Sequence, residues 1–164
     1  MKPTENKTVY VAMSGGVDSS VAAFLLKKQG YDVVGVFMKY WMDSDSGENR
    51  CCSLEARQDA MRVCAVLKIP FLTWDFHNEF KKEVVDDFVS GYKKGITPNP
   101  CVVCNKKIKL GMFLKKALNE GADFVATGHY VRLSDNKVFS LKTAKDKNKD
   151  QSYFLWTLTQ NQLK

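Results

Sequence analysis

No stretch of these 164 residues approaches the roughly 20 consecutive apolar positions that a bilayer-crossing helix needs. The segment Met1 to Lys7 is polar, lacks the apolar centre of a signal peptide and leads straight into a strand-like run. A cytoplasmic protein with no membrane partner is therefore expected. Histidine is scarce, at two residues, and the five cysteines are an odd number in a chain without a secretory leader. That argues against a disulfide framework and for reduced thiols with core, catalytic or metal-binding roles. There is no internal repeat and no low-complexity linker, and a 45% hydrophobic composition supports one domain with a single core. Acidic residues are outnumbered, 18 against 25 Lys and Arg, for a net charge of +7. Much of the excess lies in Lys106, Lys107, Lys109, Lys115, Lys116 and the stretch Lys142 to Lys149. Charge alone leaves two readings open, a polyanionic partner and a solubilising surface.

What the chain does have is Ser14-Gly15-Gly16-Val17-Asp18-Ser19-Ser20, directly after the apolar run Val9 to Met13 and before Val21, Ala22, Leu25 and Leu26 at helical spacing. The pattern predicts a strand-to-helix turn, in which adjacent glycines let an anion approach and the helix start leaves N–H groups without partners. The lysine of a GxxxxGK[ST] loop is absent, so this is not the ordinary triphosphate loop. Asp18 suits either a helix cap or a carboxylate that reaches phosphates through Mg²⁺.

Further along, Tyr31 to Met38 reads as a second strand, with Gly30 closing the helix before it. The spacing of Ala60, Met61, Cys64 and Leu67 predicts a helix that Pro70 closes, and Phe71 to Asp75 a third strand. Phe80, Val84, Val85, Phe88 and Tyr92 mark another helix; Leu110, Phe113, Leu114, Ala117 and Leu118 mark the next, and Phe124 to Thr127 a fourth strand. Residues Tyr40 to Arg50 are polar and turn-rich. Alternating strands and helices predict an α/β fold, a parallel sheet with helices on both faces and a ligand crevice at the carboxyl ends of its strands. The phosphate loop, Met38 and Thr127-Gly128-His129 all fall at such ends. Tyr130 to Lys142 reads as a hairpin with its turn at Ser134-Asp135-Asn136, and the cluster Tyr153-Phe154-Leu155-Trp156 as core or domain interface rather than a base-stacking platform. The chain then stops at Thr159 to Lys164 with no closing element, as expected of an N-terminal piece of a longer protein.

Cys101 and Cys104 stand two residues apart, between the stiff Pro98-Asn99-Pro100 and a lysine-rich helix, a setting that favours thiolate in at least one of them. Three readings compete: a redox or nucleophilic thiol, half of a zinc site, and part of an iron–sulfur site. Zinc would need two more ligands from Cys51, Cys52, His77 and His129, and the adjacent Cys51-Cys52 is poor ligand spacing. Cys64 lies on an apolar stripe and is expected in the core. His77 is expected to be structural, whereas His129 either bonds near a nucleotide or shapes its turn.

The Ser-Gly-Gly-Val-Asp-Ser loop resembles the signature of the N-type ATP pyrophosphatases, or PP-loop enzymes. Gly35 to Trp41, Gly95 to Pro100 with Cys104-Asn105-Lys106, Ala126 to Tyr130 and Lys149 to Leu155 together resemble the tRNA-specific 2-thiouridylases of the MnmA type, in the family's order and over nearly the whole chain. The resemblance implies an adenine-nucleotide alpha-hydrolase-like domain over residues 1–164, incomplete at its C-terminus, with the family's central and β-barrel tRNA-binding domains lying outside it. It implies ATP and Mg²⁺, with Ala12, Met13, Ser14, Gly15, Gly16, Val17, Asp18, Ser19, Met38 and Gly128 around the nucleotide. Cys104, with Asp18, would be catalytic; Asn99, Pro100 and Cys101 would approach the wobble uridine, and Lys149, Asp150 and Gln151 would touch tRNA. The implied activity is a tRNA sulfurtransferase: adenylation of the uridine C2 oxygen, then delivery of a persulfide sulfur from a second cysteine beyond Lys164. A cysteine desulfurase or sulfur-relay protein would supply that sulfur, and this piece alone would not turn over. Many members carry aspartate at the position of Cys101. The change to C-x-x-C raises the alternative that Cys101 and Cys104 are ligands of an iron–sulfur (4Fe–4S) cluster. The competing functions are an amidotransferase-type PP-loop ligase and an RNA-binding module with a metal centre and a vestigial nucleotide site.

Overall fold

The computed structural model describes residues 7–41, 53–135 and 137–164. Four parallel strands, β1 (Thr8–Met13), β2 (Asp32–Lys39), β3 (Phe71–Asp75) and β4 (Phe124–Ala126), form one sheet in the order β3-β2-β1-β4. β1 is central and buried along nearly its whole length, which is why it reads as a continuous apolar run rather than an alternation. The chain moves outward from β1 through β2 to β3 and then returns to the other side of β1 at β4. That reversal opens a crevice at the carboxyl ends of β1 and β4, the usual ligand position in an open α/β sheet.

Strand alternation sorts the core into two layers. Val9, Val11, Met13, Gly35 and Phe37 share one face, where α1 (Val17–Lys28) and α2 (Leu54–Leu67) pack. A Cβ on Gly35 would lie 2.4 Å from Cys64 Sγ, so the glycine is what lets α2 and its fully buried thiol settle onto β2. Tyr10, Val36, Met38 and Trp74 share the other face, and Trp74 stacks against Tyr10 at 5.7 Å and Phe113 at 5.5 Å. The sheet is thus covered on both sides, as expected.

That second cover comes from two long helical runs with π-helical middles. One joins α3 (His77–Phe80), a π turn at Lys81–Val85 and α4 (Asp86–Lys93); the other joins α5 (Pro100–Cys104), a π stretch at Asn105–Phe113 and α6 (Leu114–Asn119). The apolar spacing predicted the helices but not the wide turns, and the second run begins ten residues before the first apolar marker at Leu110. Pro100 sits at the first helical position, where its missing N–H costs nothing, and Asn99 caps the run through its Oδ1, which accepts from Cys101 N at 3.1 Å and Val102 N at 3.2 Å.

Beyond the sheet, β5 (Arg132–Ser134) and β6 (Ser140–Lys142) pair antiparallel, as the predicted hairpin requires; Asn136 of its turn lies outside the described residues, as do Met42 to Cys52. A 3-10 turn at Ser152–Leu155 buries Leu155 but leaves Tyr153 64% and Trp156 68% exposed, so the aromatic cluster divides between core and surface. The last element is α7 (Gln160–Leu163), opened by a Thr159/Gln162 capping box. Among the described residues no helix is long and apolar enough to cross a membrane.

Candidate functional site

The loop between β1 and α1 owes its shape to Gly15. Its φ of +79° is a left-handed value, and an added Cβ would stand 2.4 Å from the Ala56 carbonyl oxygen, so both backbone and neighbour exclude any side chain. Gly16 is the N-cap of α1, and no side chain caps that helix. The first-turn N–H groups are therefore left for an external acceptor, reinforced by the helix dipole.

The loop serines bond to the loop itself. Ser19 Oγ and Ser20 Oγ both donate to the Gly16 carbonyl, at 3.1 and 2.8 Å, while Ser14 N donates to Ser19 Oγ at 3.2 Å. Their hydroxyls hold the loop's own backbone in shape. Asp18 is not the helix cap either. Its Oδ1 accepts a 2.8 Å hydrogen bond from the Tyr130 hydroxyl, which raises the phenol's affinity for its proton because ionisation would set two anions together.

β4 is followed by Thr127-Gly128-His129. A Cβ on Gly128 would come within 2.6 Å of Ser19 N and 2.8 Å of Asp18 C, so this glycine lets the end of β4 press directly against the start of α1. His129, mostly buried, shares a 2.7 Å hydrogen bond with Thr127 Oγ1 through Nδ1. Burial first, and then the positive charge of Lys109, lower its pKa to about 4, so it is neutral at physiological pH.

These strand ends open onto a cavity of about 590 Å³ lined by Ala12, Met13, Ser14, Gly16, Asp18 and Ser19 from the first loop, by Met38, and by Thr127, Gly128 and His129. Pro100, Cys101, Cys104, Asn105 and Lys109 form the facing wall, and Gln151 closes one side. The predicted convergence of three strand ends is thus observed, and the structure adds the C-x-x-C pair to the same space. Cys101 is exposed and Cys104 half-buried. Gly15 and Val17 shape the loop without lining the cavity; Asn99, Lys149 and Asp150 are also outside the lining.

Lys149 and Asp150 are nonetheless coupled to it. Tyr130 N donates to Gln151 Oε1 at 2.9 Å, Gln151 N donates to the Tyr130 carbonyl at 3.0 Å, and Lys149 Nζ lies 5.4 Å from the Tyr130 ring centroid. Asp150 accepts from Ala144 N and Ser152 Oγ, both at 2.6 Å, contacts that hold its carboxyl below the usual range. Asp18, Tyr130, Gln151 and Lys149 therefore form one chain of contacts, and Asp150 is anchored separately beside it.

Two lining residues carry chemistry that the sequence alone did not assign. Asn105 is 4% exposed, and its Nδ2 donates to the Phe154 carbonyl at 3.2 Å. Lys109 is half-buried and, among the described residues, is the single basic side chain beside neutral His129 in the lining. A spacing signal existed: Cys101, Cys104, Asn105 and Lys109 recur at three, four and eight residues, one face of a helix. Among the described residues no group of three His, Cys, Asp or Glu side chains could hold a metal ion. Asp18 is the single carboxylate in the described lining, an arrangement suited to a cation shared with phosphate oxygens and water rather than caged by protein.

Comparisons with known proteins give these observations a context. The tRNA-specific 2-thiouridylase MnmA of Clostridium perfringens is 52% identical over 161 residues, covering 96% of this chain and 45% of that protein. Its counterpart in Clostridioides difficile is 52% identical over 163 residues, again covering 96% and 45%. The chain thus spans about half the length of the curated relatives it matches. Among solved structures, a glutamine-dependent NAD+ synthetase from Acinetobacter baumannii, in complex with ADP, aligns with a TM-score of 0.52 at 14% identity over 74% of this chain and 22% of that one. A predicted subunit of tRNA methyltransferase from Methanocaldococcus jannaschii aligns with a TM-score of 0.50 at 17% identity over 74% and 52%. At such identities the likeness bears on the fold alone, a Rossmann-like parallel sheet with helices on both faces. The family model described as the tRNA methyl transferase HUP domain matches residues 7–164, and the chain belongs to that family.

Proposed function

We propose that this chain is the nucleotide-activating domain of an ATP-dependent tRNA 2-thiouridylase that acts on the wobble uridine. The observation that carries the reading is the shared cavity: an uncapped helix start behind a glycine pair faces Cys104 across one space large enough for a nucleotide and a base. The names of the relatives at 52% identity support the same substrate class.

In this reading the loop from Ser14 to Ser19 holds the β- and γ-phosphates of ATP against the α1 N–H groups. The uridine C2 oxygen attacks the α-phosphorus and pyrophosphate leaves, giving an adenylated base. Asp18 would be the residue to hold Mg²⁺, which would supply charge neutralisation for the departing pyrophosphate. A persulfide on a second cysteine outside this chain then adds its terminal sulfur to C2, and AMP departs with the former C2 oxygen. The Cys104 thiolate attacks the carrier cysteine's sulfur, closing a disulfide between the two cysteines and leaving the terminal sulfur on the base. A cysteine desulfurase or sulfur-relay protein reloads the carrier after the disulfide is reduced. Asn99, Pro100 and Cys101 would approach the uridine, and Lys149, Asp150 and Gln151 would meet tRNA.

A 4Fe–4S cluster on Cys101 and Cys104 would need two more thiolates. Among the described residues none joins the pair, and no step above depends on a cluster.

The decisive experiment is Cys104→Ser in the intact protein. Pyrophosphate release from ATP in the presence of tRNA is expected to stay within about threefold of native, because the thiol acts after adenylation, while 2-thiouridine in the digested tRNA falls below detection. Retained thiolation, or loss of pyrophosphate release in a folded variant, would overturn the assignment.

A further inference from the structure

The phosphate loop has no lysine, yet a nucleotide brought to it carries several negative charges into a partly enclosed space. The helix N–H groups and one metal ion would meet the β- and γ-phosphates; nothing in the loop meets the α-phosphate, which stays with the base after pyrophosphate leaves. The remedy stands on the opposite wall. We propose that Lys109 is the phosphate-binding cation of this cavity, contacting the non-bridging oxygens of the α-phosphate. The assignment rests on the nucleotide-activating role argued above.

Four observations carry it. Among the described residues, Lys109 is the one Lys or Arg lining the cavity. It has no carboxylate partner among the described residues, whereas its neighbours are paired elsewhere, Lys107 with Glu83 at 3.5 Å and Lys116 with Glu120 at 3.9 Å. A half-buried ammonium without a counter-ion is costly unless an anion arrives. Its charge is felt by His129 on the β4 end, which places it toward the reacting side rather than at the outer rim. Finally, Lys109 lies in the π stretch Asn105–Phe113 and shares the cavity wall with Cys104 and Asn105. Gly111 permits that wide turn, since a Cβ there would stand 2.8 Å from the Lys106 carbonyl oxygen. His129 cannot supply the charge, because burial keeps it neutral.

The lysine therefore lines the cavity from the same helical run as the thiol, on a different element from the glycine pair. A cation there stabilises charge on the α-phosphate both as pyrophosphate departs and as AMP later leaves the base.

The test compares AMP with adenosine, which differ by that phosphate alone, titrated by calorimetry into the intact native protein and its Lys109→Met and Lys109→Arg variants. Native protein is expected to prefer AMP; Lys109→Met should weaken AMP about 30-fold, equivalent to about 2 kcal/mol at 1.4 kcal/mol per tenfold, and leave adenosine unchanged. Lys109→Arg should stay within about fivefold of native, because the charge is kept. In a parallel NMR titration the His129 pKa should rise in Lys109→Met, a change that a scaffolding role would not produce. Equal loss of AMP and adenosine affinity, an AMP preference that survives Lys109→Met, or an unmoved His129 would each overturn the proposal. Should AMP binding depend on the lysine while native protein with tRNA releases no pyrophosphate, the phosphate site stands and the proposed activity falls.

Discussion

The two walls of the cavity are built on different principles. The strand-end wall is close-packed backbone: Gly15 lies against Ala56, Gly128 against Ser19, and the loop serines bond to the loop itself. The helical wall is tied to the C-terminal segment by side-chain hydrogen bonds. Asn105 reaches Phe154, and Gln162 reaches the Leu110 carbonyl. The first wall fixes where an anion sits through backbone contacts that leave no room for a side chain, while the second brings reactive groups to the same space on a helical run anchored in the core by Ile108 and Phe113.

Substitutions on the two walls should therefore differ in severity. Gly15→Ala is expected to do most harm: left-handed strain and the overlap with Ala56 together predict a loss of about 3 kcal/mol or more. The check is chemical denaturation together with ATP binding, and near-native stability would show that the strand-end wall is less constrained than its geometry implies.

Acid comes next in size. The folded pKa of His129 lies at about 4, below its ordinary 6.5. The unfolded chain therefore binds more protons between these values, and stability rises with pH across the window. This stability is fully present above about pH 6.5 and is lost progressively as pH falls toward 4, on the order of 3 kcal/mol in all. Urea titrations from pH 7 to 4 would reveal it, and His129→Gln should flatten the profile in that interval.

Asn99→Ala should cost least, about 1 kcal/mol, because it removes one cap from the start of α5. Its signature is local. Amide exchange should quicken around Cys101 and Val102 while β1 and β2 keep their protection; uniform quickening would mean that the two walls unfold as one.

The same contrast explains which features are legible in the amino-acid sequence and which are not. The strand-end wall is written in consecutive residues, since a buried strand, a glycine pair and a helical stripe announce one another. The parallel sheet, its helical layers and the meeting of three strand ends followed from that grammar. Tyr130 as the partner of Asp18 could not be read, because their separation in sequence carries no periodic signal. Lys109 sits among Lys106 and Lys107, where it resembles one more solvated charge. The π stretch departs from the 3.6-residue period, and its trace is the five-residue step between fully buried Ile108 and Phe113.

The contact between Gly35 and Cys64 has a practical consequence for work on the other thiols. With β2 flush against its sulfur, Cys64 is shut away from water, and burial pushes its thiol pKa up, so two independent causes keep it from alkylating reagents. Of the three described cysteines, only Cys101 and Cys104 should take up label in the folded protein. Modification of Cys64 would then serve as a built-in alarm, reporting molecules whose α2 has already lifted off the sheet.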